Sequence, residues 1–148
     1  MSTHELLYKA IKIATKAHKK QTDKYDAPYL GHVFRVMNAG KTIDEKIVGV
    51  LHDVVEDCPE FDLDYLREKG FPEYILDAVE CLTKREEEHL DYDAFVTRIE
   101  KNPLAIAVKL NDLRDNMDLT RRTELLEAKD LKRLNKYLKA YLYLSQKY

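Results

Sequence analysis

The sequence is poor in helix breakers, in cysteine and in long apolar runs. Its 148 residues hold four glycines, four prolines, two cysteines and no tryptophan. Cys58 and Cys81 stand far apart and without a CxxC spacing, which sets aside a thiolate metal site and points to structural thiols in a reduced compartment. No run approaches the roughly 20 apolar residues of a membrane span. The first five residues already carry charge, so there is no signal-peptide core and a cytoplasmic location is expected. Charge of one sign is also lacking: 25 basic against 27 acidic residues give a net charge of −2. That balance argues against a nucleic-acid binder relying on bulk positive charge, while leaving room for a local basic pocket.

What is present is helical periodicity. Apolar residues recur at three- and four-residue spacing, and this pattern with scarce Gly and Pro predicts an all-α fold. The first helix covers 3–19, with Ser2 and Glu5 as a capping box and Leu6, Leu7, Ala10, Ile13, Ala14 and Ala17 as its buried stripe. A polar loop spans 20–28. A short helix over about 29–39 ends at Gly40 as a C′ residue. Thr42 with Glu45 opens a helix running on through His52 and Asp53 and stopping before Pro59. Asp62 or Asp64 opens another, ending near Gly70. Pro72 is read as a first-turn proline of helix 72–83, and 84–90 as a charged loop. Helix 91–101 is followed by Asn102 and Pro103 as N-cap and first-turn proline of helix 103–117. The tail, about 128–147, carries Leu131, Leu134, Leu138 and Tyr141 on one side, widened by Tyr137, Leu142, Tyr143 and Leu144. With no repeat and no linker, 1–148 reads as one compact bundle-like domain whose tail docks on the core or on a second subunit.

Four polar signals interrupt this pattern. His52 and Asp53 lie inside the apolar run from Ile47 to Val55, where a carboxylate and an imidazole cost several kcal/mol unless compensated. A divalent metal compensates both; a hydrogen-bonded buried pair is the plainer alternative. His32 lies one turn into the second helix. Glu56 and Asp57 follow the His-Asp pair, and Glu56 falls on its face one turn along. Asp112 and Asn116 share a face four residues apart. Two imidazoles and two carboxylates suit manganese, iron or zinc more than calcium. Asn116 is placed to hold a substrate hydroxyl or to orient a ligand from behind. His18 reads as structural, and His4 and His89 as exposed.

These residues resemble the HD-type phosphohydrolases, more narrowly the hydrolase domain of alarmone synthetase/hydrolases and the small stand-alone alarmone (ppGpp) hydrolases. The resemblance rests on Ala17-His18 with Gln21, Lys24, Pro28-Tyr29-Leu30-Gly31-His32, Leu51-His52-Asp53-Val54-Val55-Glu56-Asp57, Gly70-Phe71, Leu82-Thr83-Lys84, and Val108-Lys109-Leu110-Asn111-Asp112 through Asn116, in order over residues 5–120. It implies an HD-type helical bundle holding a metal, typically manganese, on His32, His52, Asp53 and Asp112. It implies that Glu56 and Asp57 handle the nucleophilic water. It implies that Lys24, Lys109 and Asn116 hold substrate, with Thr83 and Lys84 near the pocket. The implied reaction removes the 3′-pyrophosphate of ppGpp. The chain departs from the family at Asp23-Lys24-Tyr25-Asp26, where an Arg-Lys-Ser-Gly-like loop is usual, at Val33 for Pro, at Asn111 for Ala, and at Leu113-Arg114-Asp115 for Arg-Leu-His. A nucleoside monophosphate phosphatase and a non-catalytic nucleotide-binding protein are the alternatives. In each, the partner is a small phosphorylated nucleotide, and a homo-oligomer through the tail remains open.

Overall fold

Five of the helix starts are capped by the side chains that the local sequence provides. Ser2, Thr42, Asp62, Asp91 and Asn102 each accept the backbone N–H three residues on. Each bond satisfies one of the N–H donors that a helix start otherwise leaves free. In the computed structural model, which describes residues 1–148, nine α-helices and one 3-10 turn follow. They are α1 Thr3–Ala17, α2 Leu30–Ala39, α3 Ile43–Leu51, α4 Val54–Asp57, α5 Leu63–Glu68, α6 Glu73–Cys81, the 3-10 turn Glu86–Glu88, α7 Tyr92–Ile99, α8 Pro103–Asn116 and α9 Ala128–Ser145. There are no strands, and the helices share one core: the fold is an all-α single-domain bundle. No helix is long and apolar enough to cross a membrane. Both cysteines are free.

Helix α3 is the central element. Ile47, Val48, Val50 and Leu51 are fully buried, and α1, α2, α6 and α8 surround it. Gly49 lets α2 approach: a Cβ there would stand 3.2 Å from Met37 Cα and 3.3 Å from the Val36 carbonyl oxygen. Gly40 closes α2, but not as a left-handed residue; its φ is −63°, and glycine is needed because a Cβ would stand 3.0 Å from Lys46 N. The left-handed glycine is Gly70, φ +99°, after α5.

The structure corrects three sequence expectations. The helix carrying His52 and Asp53 is not continuous: α3 ends at Leu51, the pair forms a turn, and α4 begins at Val54. The His52 ring donates to the Gly49 carbonyl within that turn, a local side-chain bond of the kind that competes with the helix ladder. Pro72 is the N-cap of α6 rather than its first residue. The tail stripe is rotated. Leu131, Leu138 and Leu142 are 44–54 % exposed, whereas α9 buries Asp130, Ala140 and Leu144, with Tyr137 and Tyr141 half-buried against the core. This face is set by partners far along the chain, which periodicity alone does not register: Tyr141 accepts from Arg114 of α8, Tyr137 packs on Tyr92 of α7, and Asp130 takes Arg122 from the segment before α9.

Candidate metal centre and its pocket

Four side chains from three places in the fold converge. His32 comes from α2, His52 and Asp53 from the α3–α4 turn, and Asp112 from α8. The ring Nε2 of His32 lies 3.0 Å from Asp112 Oδ1 and 3.9 Å from Asp53 Oδ2. The ring Nε2 of His52 lies 2.9 Å from Asp53 Oδ2 and 3.5 Å from Asp112 Oδ1. Ligand atoms of His32, His52 and Asp53 all fall within 4.8 Å of one another. Neighbouring ligand atoms of an octahedral ion with bonds near 2.1 Å stand about 3.0 Å apart, and opposite ones about 4.2 Å. The four imidazole–carboxylate distances run from 2.9 to 3.9 Å, close to those spacings. Asp112 sits at the edge of the group, held by the Lys109 ammonium at 2.9 Å and the Asn116 amide at 3.1 Å.

The ring tautomers bear on what fits between these groups. His52 Nδ1 is 2.6 Å from the Gly49 carbonyl oxygen, an acceptor, so it carries the proton. In the neutral ring, Nε2 is then a buried lone pair without a donor, facing two carboxylate oxygens. Like lone pairs face one another stably only around a positive charge, either a second ring proton or a metal ion. Burial alone would lower the His52 pKa; Asp53 and Asp112 outweigh it and hold the imidazole well above its ordinary value. His32 follows the same balance, with Asp112 and Asp115 raising it. The donors of His32, His52 and Asp53, with Asp112 beside them, are of the kind that a divalent first-row metal takes.

Support for the four comes from residues that the sequence reading passed over. Asp115 Oδ2 is 2.6 Å from His32 Nδ1, and Arg35 donates to both Asp115 oxygens at 2.7 and 3.2 Å. A carboxylate behind a ligand imidazole fixes its tautomer and ring plane. Tyr29 donates its hydroxyl to Asp53 Oδ2, and burial next to that carboxylate raises the phenol pKa. The spacings that could have revealed this are simple: Asp115 follows Asp112 by three on α8, and Arg35 follows His32 by three on α2.

A cavity of about 120 Å³ adjoins the cluster, lined by His52, Asp53 and Asp112 together with Glu56, Lys84, Lys109 and Asn116. Glu56 Oε1 accepts the Lys84 backbone N–H at 2.7 Å, and burial raises its pKa. Lys109 is almost fully buried; Asp112 and Tyr92 more than offset burial and raise its pKa. Lys136 and Tyr137 of α9 complete the wall, and no local pattern announces them.

Three predicted site residues stand elsewhere. Asp57 lies outside this cavity, its Oδ2 accepting from the Gln21 amide at 3.0 Å, and burial followed by the Asp53 charge raises its pKa. Thr83 does not face the pocket, because its hydroxyl donates back to the Val79 carbonyl one turn earlier at 2.8 Å. Lys24 lines a neighbouring groove instead, with His32, Asp115, Asn116 and Tyr137. His18 is buried and bonded to Gln21, while His4 and His89 are exposed, as the sequence reading expected. No protein-family model matches the chain, and no curated protein sequence matches it.

Proposed function

We propose that this protein is a metal-dependent phosphohydrolase of the HD type acting on a phosphorylated nucleotide, and that it converts guanosine 3′,5′-bis(diphosphate) to GDP and pyrophosphate. The observation that carries the reading is the buried meeting of His32, His52, Asp53 and Asp112 beside a lysine-lined cavity. These four residues would hold the ion, with manganese suited to the mixed nitrogen and oxygen set. When bound, such an ion acidifies water and offsets negative charge on phosphate oxygens.

The remaining work falls to the chain's own groups. Glu56, raised by burial and fixed by the Lys84 N–H, orients water and takes its proton. Asp57 stands outside the cavity, held by the Gln21 amide, and its charge adds to the rise of the Glu56 pKa. Lys84, Lys109 and Lys136 offset phosphate charge in the cavity. At about 120 Å³ the cavity takes a phosphoryl end, so the nucleoside extends into the adjoining space of about 350 Å³, lined by Lys24, Asn116 and Tyr137. The setting this implies is cytoplasmic, with both thiols reduced.

A second reading, a nucleoside monophosphate phosphatase, rests on Asp23, an acid lining this space where the resembled family usually carries a base. Product analysis with manganese-loaded protein separates the two. Pyrophosphate released from ppGpp, and lost in His52→Ala, supports the first. Orthophosphate from a monophosphate replaces it with the second. No turnover across ppGpp and a nucleotide panel removes both.

A further inference from the structure

A third space, about 960 Å³, shares Lys24, Arg35, Arg121 and Arg133 with the 350 Å³ groove and opens between the 20–28 loop, the segment 118–127 and the start of α9. None of the four metal-cluster residues lines it. Its walls carry Lys24, Arg35, Arg121, Arg122, Lys129 and Arg133. The guanidiniums are arranged in pairs, each pair sharing one carboxylate. Asp115 takes Arg35 at 2.7 Å and Arg121 at 3.4 Å; Asp130 takes Arg122 at 3.1 Å and Arg133 at 2.9 Å.

One carboxylate cannot neutralise two guanidiniums, nor use their ten N–H donors. Asp118 takes a further share of Arg121 at 3.1 Å, the Asp115 carbonyl accepts from Arg121 Nη2 at 3.1 Å, and Arg122 also donates to the Glu124 and Leu125 carbonyls at 3.2 and 3.4 Å. The Nε of Arg121 and of Arg133 are buried without an acceptor. Three of the five acids on the cavity wall are engaged: Asp23 caps the turn by accepting from the Tyr25 and Ala27 N–H groups, Asp130 also accepts from the Glu127 N–H, and Glu127 stands 3.7 Å from Lys129; Asp26 and Glu124 make no side-chain bond. Burial, followed by the charges of Arg133 and Arg122, holds the Lys24 ammonium below its ordinary pKa, the response of a cation in a positive local field.

We propose that this cavity is a phosphate-binding site, taking the phosphate or pyrophosphate group of a small phosphorylated molecule, with Arg121 and Arg122 as its principal contacts. Guanidinium forks arriving from separate elements suit an anion that accepts from several directions, as a phosphoryl group does. The size is that of a small-molecule pocket, and a chain of net charge −2 lacks the bulk positive charge on which many nucleic-acid binders rely. The site stands whether or not the metal cluster is hydrolytic.

The test is calorimetric titration of chelator-stripped, metal-free protein with inorganic pyrophosphate. One saturable site is expected, with affinity falling tenfold or more in Arg121→Gln and in Arg122→Gln and unchanged in His52→Ala. Circular dichroism melts check that each variant folds. Lys129→Gln, at an exposed position, tests the site without touching the core; a loss of about threefold is expected from one solvated charge. The phosphate source is read with a nucleoside 3′,5′-bisphosphate and manganese. Weaker binding to His52→Ala than to wild type identifies a ligand reaching the metal cluster, and equal binding a separate effector; both retain the site. The proposal is overturned by the absence of saturable binding, by wild-type affinity in both arginine variants, by loss in His52→Ala without metal, or by an RNA oligomer outcompeting pyrophosphate at equal phosphate concentration.

Discussion

Asp115 holds the His32 ring from behind, its Oδ2 at 2.6 Å from Nδ1, while Arg35 donates to the same carboxylate. That contact turns His32 Nε2 toward Asp112 and Asp53. The cluster therefore depends on a residue that is not one of its four members.

Asp115→Asn should weaken manganese binding about 10–100-fold, the usual cost of losing a carboxylate behind a ligand imidazole. Calorimetry on the purified variant measures it. Unchanged affinity would make the Asp115–His32 bond a structural tie only.

Glu56→Gln should keep the metal and reduce turnover about 10²–10⁴-fold, the range for a positioned base. Because burial raises the Glu56 pKa, the acid limb of the wild-type profile should lie above the ordinary carboxylate range, with kcat/KM rising as pH increases through it. A pH–rate profile and metal analysis of both proteins check this. Loss of metal together with turnover would place Glu56 among the ligands.

Glu88→Gln addresses stability. Glu88 is buried, accepts two bonds from Arg98 at 2.7 and 2.8 Å and one from the Arg85 N–H at 2.8 Å, and its pKa is held down at about 2. A carboxylate with a depressed folded pKa contributes stability that is fully present above its unfolded value near 4.5 and is lost as pH falls through about 2. Urea unfolding should show the variant less stable by about 1–2 kcal/mol at pH 7, a figure discounted for screening by nearby water, with the difference shrinking below pH 4. A gap that stays constant with pH would mean the loss is packing and not charge.

Leu144→Ala should cost about 2–5 kcal/mol, as for a fully buried leucine, and Leu131→Ala less than about 0.5 kcal/mol. Chemical denaturation of the two variants compares them. Equal losses would mean α9 packs by the face that periodicity picks out, or is itself covered by a second copy.

The sequence by itself determined the helices and most of their ends. Scarce glycine and proline, three- and four-residue periodicity, and caps at Ser2, Thr42, Asp62 and Asn102 act within a turn or two of chain, so they are readable locally. It also marked His52 and Asp53, because polar groups in an apolar run signal a cost that something must offset, while His32 and Asp112 entered as separate polar signals and as ligands through the family resemblance. Only the tertiary structure decided what lies around them. It broke the helix at His52-Asp53, put Asp115 and Arg35 behind His32, turned Thr83 away, moved Lys24 into the neighbouring groove and brought Lys136 and Tyr137 from the tail. Those outcomes depend on which helix faces meet across the core. Tyr137 and Asp112 are 25 residues apart along the chain, and no local periodicity encodes that both line one cavity.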